Sequence, residues 1–346
     1  TAITPPSANV ASLMKVTDVP VSYYTGTVQI GIPIHTINTN FASLNISLGY
    51  NSSGVKVEDE PGLTGAGWNL TAGGSIARSA AASPDEGYGT KYGYRYSAAH
   101  YGLPLYYADQ EANNWYNTLT DCNMKELSEG KFYDLAPDIY YLNFNGYSAK
   151  MFFDKNGTPM ISPYKAWKVE GNEASGFTIT VENGTKYIFD LIEVTTSSTY
   201  GNSDAVESPD ADVKTAWFLT KVVSASLADT IRLNYTAISY WEDAKNADET
   251  IADFKKGQTQ YSCDAPSSLS NYTYIYNSRD ISTYLLSSIE TRAERVEFSI
   301  QSGRRDVNDT IGLPYQLNDI KVYDRLTAGY PPVRKFHLNY SYFGDT

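Results

Sequence analysis

The sequence is poor in cysteine, in histidine and in positive charge, and each shortage removes a class of protein. There are two cysteines, Cys122 and Cys263, with no C-x-x-C pair, so zinc-binding and dithiol motifs are absent. Whether the two pair with each other is a matter of geometry that sequence leaves open. The three histidines, His35, His100 and His337, are scattered. His35 and His337 fall in strand patterns, where a hydrogen-bonded or solvent-facing ring is the simpler reading than a metal ligand. Lys and Arg total 27 against 39 Asp and Glu, giving a net charge of -12. Such a surface repels nucleic-acid phosphates and anionic lipid. No apolar run approaches the roughly 18 residues of a membrane span.

Catalytic and cofactor motifs are missing as well. There is no G-x-S-x-G elbow and no H-E-x-x-H. The acidic neighbours Asp85-Glu86 and Glu58-Asp59-Glu60 are adjacent in sequence, which does not define the facing carboxylates of a glycosidase. The reading is therefore no catalytic residues, no metal ligands and no cofactor. Asp204, Glu207, Asp210 and Asp212 lack the D-x-D-x-D-G order of a calcium loop, so a solvated acidic loop is preferred to calcium ligation.

Tyrosine and strand-like alternation are abundant. The chain has 30 Tyr in 346 residues. In "TVQIGIPIHTI" the apolar positions are Val28, Ile30, Ile32 and Ile34; in "SLNISLGY" they are Leu44, Ile46, Leu48 and Tyr50. Period two with one buried face predicts strands. Only "TDCNMKELSEG", over 120–130, predicts a short helix, capped by Thr120 or Asp121 and stopped by Gly130.

Two Asn-Gly steps predict hairpins. A two-residue loop at Asn145-Gly146 pairs Phe144 with Tyr147, Leu142 with Ala149 and Tyr140 with Met151, all apolar or small. At "GFTITVENGTKYIFDL" a two-residue loop sets Phe177 against Asp190. A three-residue loop with Gly184 left-handed instead pairs Val181/Thr185, Ile179/Tyr187 and Phe177/Phe189. Register selects the bulged turn.

Farther along, "WFLTKVV", "YLLSSIE" and "YQLNDIK" align Trp217, Tyr284 and Tyr315, then Leu219, Leu286 and Leu317, then Val222, Ile289 and Ile320. Each is followed by a second strand, "IRLNY", "VEFSI" or "FHLNY". This is a repeated strand–turn–strand unit, the mark of stacked hairpins. The polar stretches 198–213 and 240–271 interrupt it and read as surface loops.

The stretch "EDEPGLTGAGWNLTAGGSIAR" gathers five glycines around Trp68. It is no Walker loop, because Trp68 and Asn69 follow Gly67 where Lys and Ser or Thr are needed. Asn69 to Gly74 cannot open the helix of a dinucleotide fingerprint. Leu63, Trp68, Leu70 and Ile76 weaken a linker reading, so a packed corner with a buried Trp68 is expected.

These residues carry a resemblance. Gly31-Ile32-Pro33-Ile34, Leu48 to Ser52, the run Gly65, Gly67, Trp68, Leu70, the pair Gly73-Gly74 and Ile76 to Arg78 together resemble the N-terminal region of RHS/YD-repeat proteins secreted by Bacteroidetes. They are also similar to the SpvB-type segment that opens the B components of insecticidal toxin complexes. The structural motif so defined is Gly65, Gly67, Trp68, Leu70, Gly73, Gly74 and Arg78. The resemblance implies an all-β fold of antiparallel hairpins stacked into an extended, curved RHS-like sheet with few short helices. It implies residues 1–135 as an N-terminal β segment holding the corner and 136–346 as the hairpin strip, or one continuous unit.

By the same resemblance the chain is a non-catalytic structural module of a secreted or cell-surface protein, exported by a type IX secretion system. Its partners are then that machinery, the downstream RHS repeats and a C-terminal effector. Tyr-Asp repeats in series are missing, "VYDRLTAG" (322–329) being an approximate match, and this makes the chain the leading part of a longer protein. Thr1 without an initiator Met suits a processed terminus. The competing expectation is an adhesin or glycan-binding module, with Trp115, Trp167 and Trp241 as stacking platforms.

Overall fold

The computed structural model describes residues 27–52, 61–80, 84–87, 93–95, 136–154, 156–201, 211–248, 273–307 and 312–342. The short helix expected over 120–130, both cysteines, His100, Trp115 and most of the acidic loop lie outside them. Among the described residues the fold is all β, with no helix, and the strands pair antiparallel in sheets of three and thirteen.

The strands in chain order are β1 (Gln29–Asn38), β2 (Ser43–Asn51), β3 (Trp68–Thr71), β4 (Gly74–Ser79), β5 (Ile139–Phe144), β6 (Tyr147–Phe153), β7 (Pro159–Ser162) and β8 (Lys168–Asn172). They continue as β9 (Gly176–Thr180), β10 (Lys186–Gly201), β11 (Ala211–Val223), β12 (Thr230–Asp248), β13 (Thr273–Glu290), β14 (Glu294–Ser302), β15 (Tyr315–Asp324) and β16 (Pro332–His337). Two compact units share them. One comprises Thr1–Gly73, Ser287–Asp309 and Leu313–Thr346; the other comprises Gly74–Leu286 and Thr310–Gly312.

In the second unit the strand order runs β10-β11-β4-β5-β6-β7, with β9 beside β10 and β8 beside β9. Both Asn-Gly hairpins take the registers expected of them. Phe144 pairs with Tyr147, Leu142 with Ala149 and Tyr140 with Met151, and Asn145 (φ 45) and Gly146 (φ 79) are both left-handed as a type I′ turn requires. At the other hairpin, Ile179 pairs with Tyr187 and Phe177 with Phe189, while Val181 N–H donates to Thr185 O at 3.0 Å and Gly184 has φ 81.

The aromatic wealth fills this core. Tyr140 meets Phe153, Phe177 and Trp217 at ring centroid distances of 5.3, 6.0 and 5.7 Å. Phe144 meets Tyr187 at 4.7 Å and Trp167 at 5.6 Å. Edge-to-face and tilted packing of this kind adds to area burial.

The repeated strand–turn–strand unit exists as three hairpins, β11/β12, β13/β14 and β15/β16. Their equivalent apolar positions sit opposite an apolar partner each time: Val222 with Ile231, Ile289 with Val296, Ile320 with Phe336. The polar stretches are partly strand rather than loop. β10 reaches Gly201, β12 reaches Asp248, and Ser198 and Tyr200 pair with Ser278 and Tyr276. Backbone pairing carries these stretches into the sheet.

In the first unit, β1, β2 and β3 form the three-stranded sheet. Leu44, Ile46 and Leu48 are buried as expected. The β1 face is not: Ile34 is buried, but Ile30 and Ile32 are 38% and 42% exposed. A bulge between Pro33 and His35 shifts the register and breaks the single face. His35 Nε2 lies 2.6 Å from Glu294 Oε2, and His337 Nδ1 lies 2.8 Å from Asp319 Oδ1, so both rings have carboxylate partners.

Candidate functional site

The motif Gly65 to Arg78 divides at its glycine pair, with Gly73 in the first unit and Gly74 in the second. In the first unit two turns follow each other. Gly65 N–H donates to Gly62 O at 3.1 Å and Trp68 N–H to Gly65 O at 3.2 Å. Thr64 Oγ1 closes the second onto Trp68 O at 2.8 Å. Gly65 (φ 95), Gly67 (φ 73) and Gly73 (φ 81) are left-handed. At Gly67 a Cβ would also lie 2.9 Å from a Tyr50 ring carbon and 3.0 Å from Asn51 O, so glycine is required twice over.

The corner is packed, but not around a buried indole. Trp68 is half-buried, as is Leu70. Trp68 pairs across the strand with Tyr50, ring centroids 5.1 Å apart. What holds the corner is its backbone. Leu63 O accepts from Leu317 N–H at 2.9 Å, and the Tyr340 hydroxyl, which donates to Leu317 O at 2.6 Å, lies 3.4 Å from Leu63 O. Arg304, 5% exposed, reaches Gly62 O at 3.4 Å and Leu313 O at 3.1 Å while its other nitrogens bind Asp306. Burial pushes the Tyr340 phenol up to about 12. Nothing local in sequence marks Tyr340 and Arg304 as corner residues, since they lie more than two hundred positions away.

In the second unit, β4 is sandwiched between β5 and β11. Gly74 lies so close to β5 that a Cβ would stand 2.4 Å from Phe144 Cβ and 2.6 Å from its Cα. No other residue fits there. Two positions after Ile76, Arg78 enters a buried ionic cluster, its side chain 1% exposed. Its Nε donates to Asp138 Oδ2 at 2.6 Å, and Nη1 and Nη2 bind Glu86 at 3.0 and 2.6 Å. The guanidinium carbon lies 5.6 Å from the Tyr140 ring centroid. Burial opposes the charge, but the hydrogen bonds to Glu86, followed by the nearby Tyr140 and Asp138, hold the Arg78 pKa above its ordinary value.

Asp85 and Asp138 lock together reciprocally. Asp85 N–H donates to Asp138 Oδ2 at 3.0 Å and Asp138 N–H to Asp85 Oδ1 at 2.9 Å. Glu173 completes the cluster, accepting from Arg95 at 2.8 Å and Tyr140 at 3.0 Å, while its carbonyl takes the Trp217 indole N–H at 3.2 Å. Sequence neighbours Asp85 and Glu86 thus serve different partners, and Arg95, Asp138 and Glu173 carry no local signal that would have singled them out.

Asp85 Oδ2 is buried without a hydrogen-bond partner. Burial first, then the Asp138 charge, push this carboxyl up to about 7. A carboxyl raised above its unfolded value binds its proton more tightly when folded, so folding stability falls as pH rises from about 4 to about 7. Urea titrations at pH 5 and pH 8 should therefore show a larger loss for the natural protein than for Asp85→Asn, which keeps the Oδ1 acceptor. Equal losses would mean that Asp85 titrates normally.

Among the described residues no three His, Cys, Asp or Glu side chains group so as to hold a metal ion. The carboxylates of the cluster engage arginine and backbone, an arrangement that clamps β4 to the segment leading into β5. No known protein family, curated protein or solved structure matches the chain.

Proposed function

We propose that the chain is a non-catalytic structural module, the opening section of a large secreted RHS/YD-repeat protein, in which it begins a β shell that encapsulates or displays a C-terminal effector. The observation carrying this reading is the ladder of repeated hairpins ending on β16. Among the described residues β16 pairs with β15 alone, so its outer edge is open to a further strand. Arg334 on that strand disfavours pairing of two copies edge to edge, while a following hairpin of the same polypeptide can complement its charge. Export by a type IX secretion system, and a place outside the cell or on its surface, belong to the same proposal through the resemblance of the corner motif.

Amide hydrogen exchange tests it. In the isolated chain the outward-facing amides of β16 should exchange fast; in the longer polypeptide they should be protected with the core. Equal protection in both would remove the continuation. The isolated chain should also show no turnover on glycoside, ester and peptide substrates, and turnover abolished by one acidic substitution would replace the structural reading with an enzyme.

A further inference from the structure

At the tips of the β13/β14 and β15/β16 hairpins lies a recess of about 300 Å³ lined by Glu290, Arg295, Glu297, Tyr323, Arg325 and Tyr330. That volume is at the small end of ligand sites, enough for one ring-sized molecule. Its chemistry is mixed in a specific way. Arg325 is anchored by Nη1 donating to Thr291 O at 2.7 Å and stands 3.5 Å from Glu290. Arg295 stands 3.5 Å from Glu290 and 3.8 Å from Glu297. These separations balance the charges, two against two, but are too long for good hydrogen bonds. Two guanidiniums and two carboxylates therefore line the recess as loosely held ion pairs.

Tyr330 is the second observation. It has φ 47, a left-handed conformation that a bulky aromatic rarely adopts, beside Gly329 at φ 86. The residue is 58% exposed, and the turn holds its conformation, Tyr330 N–H donating to Thr327 O at 3.2 Å and Asp324 N–H to Pro331 O at 3.2 Å. The turn thereby fixes the Tyr330 ring at the rim of the recess.

We infer that this recess binds a neutral saccharide, with the Tyr323 and Tyr330 rings offering apolar faces to a pyranose ring and the Arg and Glu pairs exchanging hydrogen bonds with its hydroxyls. The two-to-two charge balance selects against uronic acids, and the net charge of -12 adds long-range repulsion of anionic glycans. A sugar ring has one apolar C–H face and a rim of hydroxyls that both donate and accept, which matches aromatic rings beside loosely paired Arg and Glu. The site does not depend on the shell reading, because a surface recess at the hairpin tips is compatible with an open or a continued β16 edge.

Saturation-transfer NMR with the methyl glycosides of glucose, galactose, mannose and N-acetylglucosamine tests the assignment, with methyl glucuronide and a Gly-Gly dipeptide as competitors for the same recess. At least one neutral glycoside should receive saturation at its ring C–H protons. Tyr330→Gly, which removes the ring and suits the left-handed backbone, should weaken binding roughly tenfold or more while leaving Tm unchanged or higher. Arg295→Ala should weaken it as well. Binding that survives both substitutions, preference for glucuronide or dipeptide, or no glycoside bound at tens of millimolar would each overturn the proposal.

Discussion

Replacing Arg78 with methionine should destabilise the protein by about 3–5 kcal/mol, the cost of stranding a buried charge whose partner has been removed. The Arg78 side chain is 1% exposed and Asp138 is fully buried. Without the guanidinium, Asp138 loses its Arg78 hydrogen bond while the Asp85 N–H stays on Oδ2, and Glu86 loses both hydrogen bonds from Arg78. The pKa of Glu86 is held down against burial by Arg78 above all, so that stabilisation disappears too. Arg78→Lys should recover little. One ammonium cannot fork onto Glu86 and at the same time present a second face to Asp138. Combining Arg78→Met with Asp138→Asn and Glu86→Gln should recover part of the loss, since the charges that need compensation are then gone. Urea unfolding of the set measures this directly. A loss under about 1 kcal/mol for Arg78→Met would show that water reaches the cluster and that the ion pairs behave like surface ones.

The local part of this fold was legible in the sequence and the long-range part was not. Asn145-Gly146 dictated its register by pairing Phe144, Leu142 and Tyr140 with apolar or small partners, and Glu182-Asn183-Gly184 dictated its own because a two-residue loop would have put Asp190 against Phe177. The three hairpin units were readable because Val222, Ile289 and Ile320 recur at a constant offset from an aromatic. The corner glycines were likewise readable, since left-handed backbone has few alternatives to glycine. The bulge in β1 was hidden: alternation of Val28, Ile30, Ile32 and Ile34 looks the same whether the face is buried or half-solvated. The ionic cluster was hidden for a different reason. Arg78 and Asp138 are sixty residues apart and meet through the pairing of β4 with β5, while Glu173 comes from farther still, in the turn between β8 and β9. The recess at the hairpin tips had no sequence cue at all beyond its aromatics. The expected stacking residues fared differently: Trp167 donates to Glu182 at 2.9 Å and packs on Phe144 and Tyr147, while Trp241 is 52% exposed.

Trp217→Ala and Trp68→Ala should differ sharply, although the sequence alone marks Trp68 as the anchor. Trp217 has no exposed surface and sits 5.0 Å from Phe177 and 5.7 Å from Tyr140, ring to ring. Truncating a tryptophan so placed costs about 3–5 kcal/mol through lost transfer energy and the cavity left behind. Loss of the indole N–H also leaves Glu173 O without that donor inside the core, which adds roughly 1–3 kcal/mol if water cannot enter. Trp68 is half-buried and leans on Tyr50. Half of a large side chain's burial is worth roughly 1–2 kcal/mol, and a partly exposed site collapses or hydrates without leaving a void. The two residues belong to different compact units, so the measurement separates them further. If the units unfold in separate transitions, each variant should shift its own transition and leave the other in place. Calorimetry alongside urea titration, followed by tyrosine fluorescence, distinguishes the cases. A larger loss for Trp68→Ala than for Trp217→Ala would mean that the corner, rather than the aromatic core around Tyr140, supplies the greater share of the stability. The backbone bond from Leu317 N–H to Leu63 O argues against that outcome, because it persists when the indole is removed.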